Sequence, residues 1–318
     1  MATEKVHGLF CNPITTWHSP VHGTHPEAPE RVTHIQKGLI DSGLVERMKM
    51  FPGTVPTREQ LETCHTAEYL DRFYETANSL SARRKFIRSH DDLYMNRYTV
   101  ESALGSAGLA LQAAELIGTD VITDAAVISR PPGHHASAGY AGGFCFLNNA
   151  ALAAKAIAAH GKWVVIFDWD VHFGDGTVSI LQQDDKDGVG MGMIGVATFQ
   201  QYDYGEFYPG TGKSFEKGNV LSVGYEGGIN GEMYQELFRS KLLPWLKRFG
   251  PDVIIISAGF DAAEGDPLGG CNLQPDDYKY MVTQLKGLTE RVMVVLEGGY
   301  NLDVISRCFV ASVAGLME

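Results

Sequence analysis

The sequence predicts an α/β fold with a central, mainly parallel sheet flanked by helices, and three observations carry that reading. Short apolar runs without polar alternation recur at 125–128, 163–167, 192–197, 219–223, 252–256 and 292–296, the pattern of strands buried on both faces. Helical stretches at 99–117, 148–160, 231–249, 275–288 and 303–316 flank and separate them, so strand and helix alternate as in a doubly wound sheet. Polar, glycine-rich clusters follow one apolar run after another, where such sheets place their ligand sites.

In chain order, the first hundred residues are less regular, with His25-Pro-Glu-Ala-Pro-Glu-Arg31 introducing a helix to about Ser42. The small residues of 150–159 suit close helix packing. The polar stretch 200–218 is read as the rim of a site rather than a domain boundary. No linker, repeat or low-complexity segment interrupts the chain, so residues 1–318 are read as one domain, and 44% hydrophobic content is ample for a large core.

A formal charge of −12 argues against a general binder of nucleic-acid backbones, which would need a basic face. It is compatible with a cationic substrate, and equally with solubility alone. Cys11, Cys64, Cys145, Cys271 and Cys308 are scattered and show no Cys-x-x-Cys spacing. They are expected to be reduced thiols of an intracellular protein. The N-terminal Met-Ala-Thr-Glu-Lys shows no signal-peptide pattern, and no apolar run approaches the roughly 20 residues of a membrane span.

The chemistry concentrates at the ends of the apolar runs. Trp163-Val-Val-Ile-Phe-Asp-Trp-Asp-Val-His172 carries Asp168, Asp170 and His172 at alternate positions, which a strand would point to one face. Carboxylates and an imidazole buried together require a partner, a proton or a cation, and a divalent metal is the economical explanation. Asp170, His172 and Asp261 would supply the mixed oxygen and nitrogen set of a catalytic zinc, with a position open for water. His134 and His135, in a proline and glycine turn, could act as base and acid beside it, with Asp168 and Asp175 available to tune them. Tyr300, after two glycines, could stabilise an oxyanion.

These residues resemble the zinc-dependent histone deacetylase family, which shares its fold with arginase and includes acetylpolyamine amidohydrolases. The matching segments are Arg130-Pro-Pro-Gly-His-His-Ala136, Gly143-Phe-Cys-Phe-Leu-Asn-Asn149, Asp168-Trp-Asp-Val-His-Phe-Gly-Asp-Gly-Thr177, Phe207-Tyr-Pro-Gly-Thr-Gly212, the run from Ser257 to Gly270, and Leu296-Glu-Gly-Gly-Tyr-Asn301. The resemblance implies a single-domain arginase/deacetylase-like fold and one Zn²⁺ held by Asp170, His172 and Asp261. It implies His135, paired to Asp175, as principal base and acid, with His134, paired to Asp168, assisting. Tyr300 would hydrogen-bond the substrate carbonyl and its tetrahedral intermediate. A potassium ion would sit at Asp168, Asp170, His172, Thr198 and the Phe199 carbonyl. Phe144 and Tyr208 would wall the acyl-lysine tunnel beside Gly143. Asp91 or Asp92, with Asp92 taken as the candidate, would hold the substrate backbone at the rim, and Arg31 falls near an internal acetate channel or in a helix-surface salt bridge.

Phe173 stands where relatives commonly carry a second histidine, Tyr208 replaces the usual phenylalanine, and Gln200 stands where histidine is common. Leu268 is similar to the class IIb protein deacetylases, whereas the related polyamine deacetylase places an acidic gatekeeper there. The implied reaction is hydrolysis of N6-acetyl-lysine in proteins or peptides to lysine and acetate, the alternative being an acetylpolyamine or other small cationic amide. Neither direct nucleic-acid binding nor a membrane partner is expected, protein partners are not readable, and the expected location is the cytoplasm rather than the nucleus.

Overall fold

The computed structural model describes residues 5–182 and 193–318, and one nine-stranded sheet runs through them. Its strands are β1 (His7–Phe10), β2 (Lys49–Phe51), β3 (Asp124–Val127), β4 (Val164–Asp168), β5 (Ile194–Gln201), β6 (Phe215–Lys217), β7 (Val220–Tyr225), β8 (Val253–Ala258) and β9 (Arg291–Leu296), in the order β2-β1-β3-β9-β8-β4-β5-β7-β6. All neighbours pair parallel except β6 with β7. The α-helices of the described residues are α1 (Glu30–Asp41), α2 (Arg58–Glu62), α3 (Ala67–Glu75), α4 (Leu80–Arg88), α5 (Thr99–Gly118), α6 (Asn149–Ala158), α7 (Asp175–Leu181), α8 (Gly231–Leu237), α9 (Leu243–Phe249), α10 (Pro275–Lys286) and α11 (Leu302–Leu316).

Alternation along the central strands creates two apolar layers. Val165 and Phe167 of β4, Ile254 and Ile256 of β8, and Val292 and Val294 of β9 pack with α1, α8, α9, α10 and α11. Val164 and Ile166, Val253 and Ile255, and Met293 and Val295 face the opposite layer with α3, α5, α6 and α7. Both parities are fully buried, which is why these strands read as uninterrupted apolar runs, and each such side chain contributes about 1.5–3 kcal/mol.

The structure corrects several expected boundaries. The ladder of β4 ends at Asp168, so Asp170 and His172 reach the site from the turn beyond it. Alternation nevertheless persists that far, because Trp169 and Val171 enter the first layer. The helix expected over 231–249 is three pieces, with a π-helical turn at Phe238–Leu242 between α8 and α9. Pro244 has no N–H for the carbonyl four residues earlier, which favours a wider turn there. The stretch 200–218 is not all loop, since β5 continues to Gln201 and β6 pairs antiparallel with β7. Gly192 of the expected strand 192–197, like Met1 to Glu4 of the N-terminus, lies outside the described residues.

Candidate active site

β3, β9, β8, β4 and β5 are consecutive and parallel, so the segments leaving their carboxyl ends share one edge of the sheet. Asp170 and His172 follow β4, Asp261 follows β8, His134 and His135 follow β3, and Tyr300 follows β9. His172 Nδ1 lies 3.0 Å from Asp170 Oδ1 and 3.2 Å from Asp261 Oδ2. One ligand atom from each residue falls within 4.8 Å of the others. Backbone amides aim the carboxylates: Val171 N–H donates to Asp261 Oδ1 at 2.8 Å, and Gly298 N–H donates to Asp170 Oδ2 at 2.9 Å.

This donor set fits a divalent zinc. Burial alone would lower the His172 pKa, but its hydrogen bonds to Asp170 and Asp261 outweigh burial and push it up to about 10, the field of a site that draws positive charge. Two carboxylate oxygens and one imidazole nitrogen are the three ligands a catalytic zinc uses, with a fourth position for water or substrate.

The two histidines sit in opposite electrostatic environments. His134 Nδ1 donates to Asp168 Oδ2 at 3.1 Å; burial opposes its charge, yet Asp170 and Asp168 hold its pKa well above the usual value. His135 Nδ1 donates to Asp175 Oδ1 at 2.7 Å. Burial, reinforced by His134, lowers its pKa to about 4, so its free Nε2 is a proton acceptor at neutral pH. Two titrating groups driven apart by their surroundings are the mark of divided acid and base roles.

Glu297 organises this corner, and sequence reasoning did not single it out. Its Oε2 accepts from the N–H of Gly133 at 2.7 Å and of His134 at 3.1 Å, and its Oε1 accepts from Ser257 Oγ at 2.9 Å. His134, Cys145 and Glu297 cluster closely enough to suggest a second cation site. These hydrogen bonds already occupy the carboxylate and bind it to the loop carrying the histidines.

Tyr300 lines a cavity of about 230 Å³ together with Asp92, His135, Gly143, Phe144, His172, Phe207, Tyr208 and Leu268. Burial and the nearby Asp261 push its phenol pKa far up, so it stays a donor. Phe144 meets Tyr300 edge-on at 5.8 Å, and Tyr208 meets His135 edge-on at 5.0 Å. Phe207, quoted only within a motif, stacks on His172 at 5.0 Å. Gly143 adopts φ +49°, and a Cβ there would stand 2.4 Å from the His135 ring, so only glycine lets this part of the cavity lining approach the imidazole.

The remaining positions sort by geometry. Asp92 lines the cavity, whereas Asp91 pairs through its backbone with Gly142. Thr198 sits opposite Asp168 in the β4–β5 ladder, and the Phe199 ring is in the core, leaving only main chain for an ion. Gln200 turns away from the cavity, its Nε2 donating to Ser222 Oγ at 2.9 Å. Phe173 is buried in the second apolar layer. Arg31 is not a surface ion pair: it is fully buried, donates to Gly299 O at 2.6 Å and Glu27 Oε1 at 3.0 Å, and lies over the Tyr300 ring at 5.2 Å.

Comparison with known proteins agrees with this fold. The profile of the histone deacetylase domain matches residues 25–316. Histone deacetylase 15 of Arabidopsis thaliana is 38% identical over 309 residues, covering 92% of this chain and 53% of that protein. Histone deacetylase HDA1 of Saccharomyces cerevisiae is 34% identical over 311 residues, covering 89% of this chain and 43% of that protein. The chain thus spans about half the length of these relatives. An uncharacterised Synechocystis protein is 33% identical, with 92% of this chain and 94% of that one covered. The crystal structure of the HDA15 HD domain superposes with a TM-score of 0.91 at 34% identity, over 99% of this chain and 89% of that chain.

Proposed function

The chain belongs to the histone deacetylase family, and from that premise we propose that residues 1–318 form one zinc-dependent amidohydrolase domain that releases acetate from N6-acetyl-lysine in proteins or peptides. The observation that carries this reading is a cavity of about 230 Å³ lined by a neutral imidazole, a protonated phenol and aromatic walls, and reached by His172 of the Asp170, His172 and Asp261 set. When bound there, zinc supplies Lewis acidity toward a carbonyl oxygen and lowers the pKa of a water molecule.

The chain's own residues perform the rest. Phe144 and Tyr208 flank the apolar stem of an acylated lysine. His135 Nε2 accepts the proton of the attacking water, since Nδ1 is committed to Asp175. The Tyr300 phenol donates to the oxygen that becomes negative. His134, held positive by Asp170 and Asp168, stabilises that charge, and the histidine pair returns a proton to the departing amine. Asp92, in the cavity lining, accepts from a substrate backbone N–H at the rim. We assign Asp168, Asp170, His172, Thr198 and the Phe199 carbonyl to a potassium ion.

Leu268 in the lining favours acyl-lysine over an acetylpolyamine, because an apolar side chain has no charge for a second amine. Parallel kcat/KM on an acetyl-lysine peptide and acetylspermidine checks this, with the peptide expected to be preferred. Asp170→Ala is expected to lose both bound zinc and turnover. Full turnover by a demonstrably zinc-free chain would overturn the mechanism.

A further inference from the structure

A cluster of unpaired cations on the described surface lies just ahead of the cavity wall in the chain. Helix α4 presents Arg84, Lys85 and Arg88 to solvent, and they share a groove with Leu80, Ser81 and Ser89. Spacings of three and four residues put these cations on one helical face. Among the described residues none of the three has a carboxylate within ion-pair distance, in a chain of net charge −12. Arg83, by contrast, is consumed by the carbonyls of Thr76 and Ala77 at 2.7 and 3.0 Å.

A bland reading is that cations complement the dipole at a helix C-terminus. It covers Lys85 and Arg88 in the last turn and leaves Arg84 unexplained. Arg84 and Arg88 are also like charges four residues apart, which isolated helices disfavour. An adjoining groove adds Arg72 beside Lys85, with Glu75 as its one carboxylate.

The helix is tied directly to the tunnel mouth. His90, just beyond α4, stacks on Phe86 at 4.0 Å and packs against Tyr140 at 4.8 Å. Asp91 bridges to Gly142, and Phe144 N–H donates to Asp92 O at 3.1 Å. Asp92 in the cavity wall lies four positions beyond Arg88, so their Cα atoms are at most about 14 Å apart. An extended peptide covers that distance in about four to five residues.

We propose that α4 is a docking surface for an acidic stretch of the substrate protein lying about four to six residues from the acyl-lysine. The inference rests on the acyl-lysine reading and names its substrate class: proteins with acidic flanks rather than the basic flanks that Arg84, Lys85 and Arg88 would repel. Such exposed pairs act mainly on encounter and KM, and salt weakens them.

The test uses the zinc-loaded full chain with peptides sharing one acetyl-lysine core and carrying Glu, Gln or Lys at positions four to six, on either flank in turn. The Glu peptide is expected to exceed the Gln peptide in kcat/KM by about three- to tenfold on one flank at low salt. The advantage should shrink as salt rises and invert in Arg84→Glu/Arg88→Glu, while turnover of capped acetyl-lysine stays equal in both proteins. Glu and Gln peptides within about twofold, or a preference that survives the charge reversal, would overturn the docking surface. Absence of acetate release from every substrate, capped acetyl-lysine included, would instead sink the acyl-lysine reading. Equilibrium binding of the labelled Glu and Gln peptides would then decide the docking surface by the same criteria.

Discussion

Tyr300 reaches the cavity from a turn whose amides are gripped by a single side chain. One oxygen of Asp266 accepts from the N–H of Tyr300 at 2.6 Å and of Asn301 at 3.1 Å, and the other accepts from Leu268 at 2.9 Å and Gly269 at 3.3 Å. A carboxylate serves all four donors, but an amide has one oxygen, and its NH₂ would face two of them. Asp266→Asn is therefore expected to lower kcat about tenfold with zinc content retained. Because the effect runs through the phenol, its combination with Tyr300→Phe should cost less than the sum of the two, and additive losses would refute the coupling. Tyr300→Phe alone removes a donor aimed at developing charge, so kcat should fall about 10²- to 10³-fold with zinc stoichiometry unchanged. Undiminished kcat would remove the phenol from the reaction. Asp266 and Glu297 were not readable as positioning groups, because a carboxylate answered by backbone amides looks in sequence like any polar residue in a glycine-rich loop.

At the scale of elements, what could be read was what is buried on both faces. β4, β8 and β9 announced themselves as apolar runs because both parities enter a core layer. β2 and β6 did not, since three-residue edge strands with largely solvent-facing side chains carry no periodicity. β1 is interior but only four residues long. The clustering of Asp170 and His172 on one side was legible because alternation outlasts the β4 ladder, although the turn that ends the ladder after Asp168 was not. The segment after β9 is fitted to its neighbours just as tightly. A Cβ on Gly298 would stand 2.2 Å from Asp261 Oδ2 and 2.6 Å from Asp170 Oδ2, a separation no real contact tolerates. Gly298→Ala must push the β9 turn away from both carboxylates and strip Asp170 of its amide donor. Zinc affinity, read by competition with a chelator, is expected to weaken by at least about tenfold, and unchanged affinity would show that the turn yields without moving the ligands.

Across the whole molecule, three distant segments are joined through one buried carboxylate and the two arginines on it, Arg31 reaching the Tyr300 turn at the Gly299 carbonyl. Arg130 grips Glu27 through Nε at 2.6 Å and Nη2 at 3.1 Å, and Arg31 donates to it at 3.0 Å. Arg130 also ties down the carbonyls of Thr15 and His18 at 2.8 and 2.7 Å, so the N-terminal segment, the histidine loop and the Tyr300 turn are joined. Burial alone would raise the Glu27 pKa, but Arg130 and Arg31 outweigh it and hold the group at about 2, below its ordinary 4.5. His18 lies beside it, 3.7 Å from Glu27, and burial lowers its pKa from 6.5 to about 3. Both folded values lie below the unfolded ones, so in both cases the unfolded chain takes up the proton first on acidification. The stability each contributes is complete above its unfolded pKa and drains away as pH falls toward the folded value. For His18 the window runs from 6.5 down to about 3, and for Glu27 from 4.5 down to about 2. Each group contributes a slope of about 1.4 kcal/mol per pH unit inside its window. Urea unfolding at pH 6.5, 5.5 and 4.5 isolates His18, provided wild type is compared with His18→Asn so that groups common to both cancel. The variant starts less stable, having lost a packed ring, yet should decline with acid less steeply than wild type by that one-proton slope. Parallel decline would mean that His18 is protonated in the folded protein and that the buried cluster accommodates a third positive charge.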